Sequence, residues 1–118
     1  MKHHLYNPNF PFLQEPIDFN KNTEKGILQY CLGATLYMPG TKNILNKLLE
    51  KKLNEITSMV MCFEDAIQEQ DVENAELNVL NHLEKMADAI DSGVISLNDI
   101  PLIFLRVRNL LQFENFIK

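Results

Sequence analysis

Three short groups of residues carry the side chains with which this chain can do chemistry: the turn Pro39-Gly40-Thr41-Lys42, the acidic pair Glu64-Asp65, and Arg106 with Arg108 two positions on. Each group follows or closes an apolar run, so each stands where a buried segment meets solvent. A tight turn leading into a helix presents backbone N–H groups and the positive end of the helix dipole to an anion, while Thr41 adds a hydroxyl and Lys42 a charge. Glu64 and Asp65 supply carboxylates. Adjacent residues of a strand face opposite sides, which predicts that the two do not point into one site equally. Read alone, Phe63-Glu64-Asp65-Ala66 is an ordinary solvated strand end, and only its company beside the other two groups gives it meaning. Arg108 is expected at the surface or in a salt bridge.

The other candidates carry less. Cys31 and Cys62 are too few and too far apart for a zinc set or a disulfide framework, and read as small buried apolar residues. His3 and His4 lie together near the start without further ligands, as a solvated terminus does. His82 falls toward the polar side of its helix and receives no role. Lys47, Lys51 and Lys52 form the wet face of a basic helix, and Met38, Met59, Met61 and Met86 fall in apolar runs that should be core.

Composition bounds what these groups can serve. The chain has 118 residues, the size of one ordinary domain, with nearly half of them apolar and under a quarter charged, so it is expected to fold. Its formal net charge of −5 and the lack of a long basic run give nucleic acid or an anionic membrane little to hold. No apolar run approaches the roughly 20 residues that cross a bilayer, and no signal-like segment heads the chain, which predicts a cytoplasmic protein.

The elements that must position the three groups follow from hydropathy patterning. Residues 1–23 carry Pro8, Pro11 and Pro16 among Asn and aromatic residues, which suits an extended arm whose Phe10, Phe12 and Phe19 need cover. Glu24 to Leu32 fits a short helix stopped by Gly33. Ala34 to Met38 reads as a buried strand, Thr41 as the cap of a helix whose apolar stripe runs from Ile44 to Leu53, and Ser58 to Phe63 as a second strand. Val72 to Ile90 is the longest helix, capped by Asp71 and followed by Gly93; Pro101 to Val107 is a third strand, and Asn109 caps a last helix from Leu110 to Ile117. Strands that are apolar throughout imply a parallel sheet covered by helices, and right-handed crossovers bring all the carboxyl ends to one side. Functional groups cluster beyond those ends in α/β architectures, and that is where all three groups fall.

"ATLYMPGTK", then "SMVMCFEDAI", then "IFLRVRN" together resemble the citrate lyase β-subunit and HpcH/HpaI aldolase family, in particular the branch described as carbon–carbon bond lyases of the TIM-barrel fold. The resemblance runs from about Leu28 to the end. It implies an α/β fold in which residues 24–118 are the N-terminal portion of a (β/α)₈ barrel, about three parallel strand–helix units after the arm and short helix. It also implies cleavage or formation of a carbon–carbon bond in a 3-hydroxy acid or its coenzyme A thioester, with magnesium stabilising an enolate. Arg106 matches the family arginine that holds the substrate carboxylate or enolate oxygen. Glu64 and Asp65 match acidic residues that orient water, the metal shell or the arginine, and Gly40 and Thr41 match the substrate-side turn.

Two departures qualify that likeness. Lys42 stands where the family has arginine, and a lysine cannot grip a carboxylate or phosphate with two parallel bonds. Eight strand–helix units need about 250 residues, so the metal ligands are expected at later strands beyond Lys118, and the 118 residues alone are expected to be inactive. The longer protein is expected to take a small carboxylate or acyl-CoA and to form a homo-oligomer. A small doubly wound α/β domain that binds an anion or a protein without breaking bonds is the alternative the element order allows.

Overall fold

The computed structural model describes residues 9–13, 17–53 and 55–117. The histidines at 3 and 4, Pro8, Pro16 and Lys118 lie outside those residues. Among the described residues the order is α1 (Lys25–Leu28), β1 (Thr35–Pro39), α2 (Leu45–Leu49), β2 (Ser58–Cys62), α3 (Val72–Asp91), β3 (Leu102–Arg106) and α4 (Leu110–Phe116). Single turns of 3₁₀ helix at Glu69–Asp71 and Leu97–Asp99 lead into α3 and β3.

The three strands form one parallel sheet in the order β1-β2-β3. Because side chains alternate along a strand, the sheet has two unlike faces. On one face Met38, Met59 and Met61 pack with Ile44 and Leu48 from the β1–β2 crossover, with Ala75, Val79 and Met86 of α3, and with Phe63. Leu36, Ile103 and Leu105 back this cluster. Each fully buried aliphatic side chain of this kind is worth about 1.5–3 kcal/mol relative to solvent exposure, so this cluster is what holds the helices to the sheet.

The other face is open along its middle row, while Ser58 and Cys62 at the ends of the central strand are buried on it. The register aligns Thr35, Ser58 and Leu102 in one row, Tyr37, Val60 and Phe104 in the next, and Pro39, Cys62 and Arg106 at the carboxyl ends. Tyr37 and Phe104 in the middle row are 46% and 44% exposed. Both crossovers thus lie on one side, and the three strands follow chain order without reversal, as successive strands of a barrel wall do. This is the expected α/β architecture: three of the strand–helix units of a TIM barrel, with the open face corresponding to its interior.

Helix ends explain several boundaries. The long helix closes in a Schellman motif: Gly93 at φ +73° donates to Ile90 O, and Val94 donates to Ala89 O. The same two bonds close α2, Lys51 to Leu48 O and Lys52 to Lys47 O, with Lys51 at φ 57°, a conformation better suited to glycine. That turn ends α2 at Leu49, short of the Leu53 expected from the apolar stripe. Lys51 also reaches Asp99 at 2.9 Å, so it is not simply a solvated lysine. Asp71 sits at the start of α3 but its side chain makes no capping bond, whereas Asn109 caps α4 as expected by accepting from the N–H of Gln112.

The arm, where described, contains no helix or strand. Phe10 rests against Phe12 edge to face at 4.7 Å yet remains half exposed, contrary to the expected cover. Lys21, whose pKa burial lowers, donates to Pro101 O at 3.2 Å and ties the arm to the start of β3. Among the described residues no helix is long and apolar enough to cross a membrane.

Candidate active site

Four hydrogen bonds close a ring at the carboxyl ends of the strands. Arg106 Nη1 donates to the Tyr37 hydroxyl at 2.7 Å and to Asp65 Oδ2 at 2.9 Å. The Tyr37 hydroxyl donates to Cys62 Sγ at 3.0 Å, and Cys62 Sγ donates to Asp65 Oδ1 at 3.3 Å. Asp65 therefore accepts at both oxygens, and Arg106 feeds the ring from both directions. Outside the ring, Arg106 Nη2 pairs with Glu64 Oε2, and the Glu64 N–H donates to Cys62 Sγ at 3.3 Å.

The charges follow this wiring. Asp65 lies below the ordinary carboxylate range, first because of the Cys62 hydrogen bond and then because of Arg106 and Tyr37. Tyr37 is raised, chiefly by its bond to Cys62, which favours the protonated hydroxyl. Arg106 is raised further above its already high value by the Tyr37 bond and by the Asp65 and Glu64 charges.

The structure brings Arg106, Glu64 and Asp65 together, and it corrects the expectation that the two carboxylates face apart. β2 ends at Cys62, so Glu64 and Asp65 lie in the bend beyond it, where strand alternation no longer applies. The sequence reading also missed Tyr37 and Cys62 as members of the cluster. Their signal was period two: Tyr37 lies two residues before Pro39, and Cys62 pairs in register with Arg106. Cys62 is fully buried as expected, but as a hydrogen-bonding thiol.

The turn after β1 is placed differently. Of its three positions expected to bind substrate, Gly40, Thr41 and Lys42, the first and last are held by α3 at their carbonyls. Asn78 Nδ2 donates to Gly40 O at 2.6 Å and to Lys42 O at 3.2 Å. One helical turn on, His82 is fully buried: its Nε2 accepts from the Ile44 N–H at 3.0 Å, and its Nδ1 lies 2.6 Å from Asn78 O. Those partners require a hydrogen on Nδ1 and a bare Nε2. At the start of α2 the acceptors are thus Asn43 Oδ1, from the Leu45 N–H at 3.1 Å, and His82, not Thr41, and the expectation of a solvent-facing His82 is corrected. The N-cap is Ile44, with no side-chain cap, and α2 has only five residues, too short for the anion-binding dipole end foreseen at this turn. Thr41 and Lys42 are exposed. Gly40 is buried, and a Cβ there would lie 2.9 Å from Phe63 Cε1 and 3.2 Å from Ala75 Cβ, so close packing alone requires glycine.

Arg108 is likewise not at a free surface: its Nε donates to Phe63 O at 2.7 Å, and its Nη2 to Glu64 O and Ile67 O, each at 3.2 Å.

A parallel β/α sheet with its helices packed on one face is the α/β architecture of a TIM-barrel wall. The family described as C-C bond lyase of the TIM-barrel fold matches residues 26–118, and the chain belongs to it. That membership supports a lyase-type function. No curated protein and no solved structure matches the chain.

The same geometry decides what these strand ends hold. Magnesium takes near-octahedral oxygen ligands. Both carboxylates here already face a guanidinium, and among the described residues no three His, Cys, Asp or Glu side chains converge on a metal position. The residues present do not fit a magnesium ion by themselves.

Proposed function

We propose that the chain is the N-terminal part of a carbon–carbon bond lyase close to the citrate lyase β-subunit and HpcH/HpaI aldolases, acting on a 3-hydroxy acid or its coenzyme A thioester through an enolate. The observation that carries this reading is the placement of Arg106 at the carboxyl end of β3, wired to Tyr37, Asp65 and Glu64, in a chain of a carbon–carbon lyase family. Arg106 has five N–H donors, of which Tyr37, Asp65 and Glu64 take three. Among the described residues Nε–H and one Nη2–H remain, the number of bonds that a carboxylate or an enolate with its neighbouring oxygen accepts from a guanidinium. Donors fixed in advance where charge develops lower the barrier more than they lower the ground state.

Glu64 and Asp65 then act on Arg106, fixing the plane of its guanidinium, and Tyr37 supports it from below. Two carboxylates against one guanidinium leave this cluster with a net negative charge, which on its own repels an anionic substrate. A divalent ion held by carboxylates beyond Lys118 would restore the balance, and in such chemistry it stabilises enolate charge. Gly40 shapes the turn and is not a substrate contact in this account, whereas Thr41 and Lys42 remain exposed beside it for the distal part of the substrate. The match of the carbon–carbon bond lyase family over residues 26–118 ranks this reading above a doubly wound binding domain.

The test is enolisation. The complete gene product, incubated in D₂O with pyruvate or acetyl-CoA, is expected to exchange the protons next to the carbonyl in a magnesium-dependent way, and Arg106→Ala is expected to abolish this. Exchange that persists in Arg106→Ala, or no exchange with any acyl donor of this class, would refute the proposal.

A further inference from the structure

Glu64 and Asp65 sit on an irregular segment between the end of β2 and the 3₁₀ turn at Glu69–Asp71, yet both carboxylates meet one guanidinium. Irregular backbone holds such a pose only if its polar groups are engaged elsewhere. Inside the segment the backbone offers little: Phe63 N donates to Arg106 O at 2.9 Å, and Ile67 N reaches Glu64 O only at 3.4 Å. The carbonyls of Phe63, Glu64 and Ile67 instead converge on the planar fork of Arg108. Arg108 is anchored in turn, because its own N–H donates to Gln112 Oε1 at 2.7 Å and Gln112 Nε2 donates to Glu76 Oε1 at 2.6 Å on α3. A continuous chain of hydrogen bonds thus runs from the long helix, through α4, to the acidic segment.

We propose that Arg108 is a positioning residue: its guanidinium fork fixes the Phe63–Ile67 segment so that Glu64 and Asp65 both reach Arg106. A lysine at 108 would keep the charge but could not span three carbonyls with one plane of donors. The importance of this to a reaction rests on the reading of Arg106 as the anion-binding group, but the positioning itself is measurable without substrate.

The experiment compares the chain with Arg108→Lys by ¹³C NMR titration of the side-chain carboxyls. Asp65 reports the segment, since Cys62 and Arg106 hold it low. Asp99, at the opposite end of the sheet and held low by Ser96 and Lys51, is the internal control. The expected result is a rise of the Asp65 midpoint toward the ordinary carboxylate value in Arg108→Lys with Asp99 unmoved. An unmoved Asp65, or equal movement of both, overturns the proposal, because a general loosening does not single out one end of the sheet. Should Arg108→Lys fail to fold, the unmodified chain decides: a through-hydrogen-bond coupling between Arg108 Nε and the Phe63 carbonyl is expected, and its absence overturns the proposal. If Asp65 responds as expected while oxalate, an enolate mimic, binds the complete gene product equally well with and without Arg106→Ala, the failure lies in the reading of the site and not in the positioning.

Discussion

Gly40→Ala separates a packing requirement from a substrate contact. The new Cβ would lie 2.9 and 3.0 Å from two ring carbons of Phe63 and 3.2 Å from Ala75 Cβ. Phe63 and Ala75 are both fully buried, and the Phe63 ring also packs against the tilted ring of Phe116 at 5.3 Å, so neither neighbour has room to retreat. Overpacking of this kind costs about 1–3 kcal/mol. For a chain of this length about 1 kcal/mol moves the Tm by roughly 4 °C, so a fall of about 4–12 °C is expected. Urea unfolding followed by circular dichroism gives the free energy directly. Phe63→Leu removes the ring edge, and in that background the cost of Gly40→Ala should drop below about 1 kcal/mol, a coupling that a double-mutant cycle reads. The reasoning is refuted if Gly40→Ala lies within about 0.5 kcal/mol of the parent, or costs the same in both backgrounds.

His82→Ala leaves the Ile44 N–H without its acceptor and opens a cavity under α2, for a loss of about 2–4 kcal/mol by the same urea measurement; a loss under about 0.5 kcal/mol would contradict the assigned role. The depressed pKa of Asp65 sets a pH window. A carboxylate whose folded value lies below its unfolded value stabilises fully above the unfolded value and loses that contribution as pH falls through the folded one. The Asp65 side-chain carboxyl signal should therefore titrate below the ordinary carboxylate midpoint, and a midpoint at or above that value would count against the ion pair. Tyr37→Phe removes the acceptor at Arg106 Nη1 and the donor to Cys62, and should weaken oxalate binding to the complete gene product roughly threefold to tenfold without altering the far-ultraviolet spectrum. Unchanged affinity would leave Tyr37 outside the site.

Much of the architecture was legible because burial leaves a simple trace. The run Ser58–Cys62 is buried along nearly its whole length and bounded by turn or charge, so its strand state and the parallel arrangement followed from hydropathy alone. The long amphipathic helix from Val72 showed its period and its Gly93 stop for the same reason. Arg106, Glu64 and Asp65 were legible through the family likeness of their motifs. The remaining parts of the site depend on contacts between residues far apart in sequence. His82 reads as polar by its helical position, but the Ile44 N–H, 38 residues earlier, draws it inward. Arg108 reads as surface because its acceptors are backbone carbonyls, which carry no sequence signal. Tyr37 and Cys62 needed the register between strands before they shared a face with Arg106.

The most direct test of the central claim, that Arg106 is the anion-binding group of a lyase site, is calorimetric titration of oxalate with and without magnesium. The complete gene product, its Arg106→Ala variant and residues 1–118 alone would be measured side by side. Magnesium-dependent binding by the complete product, weakened about a hundredfold or more in Arg106→Ala and absent from residues 1–118, is the predicted result. Metal-independent binding by residues 1–118, or undiminished binding by Arg106→Ala, would contradict it.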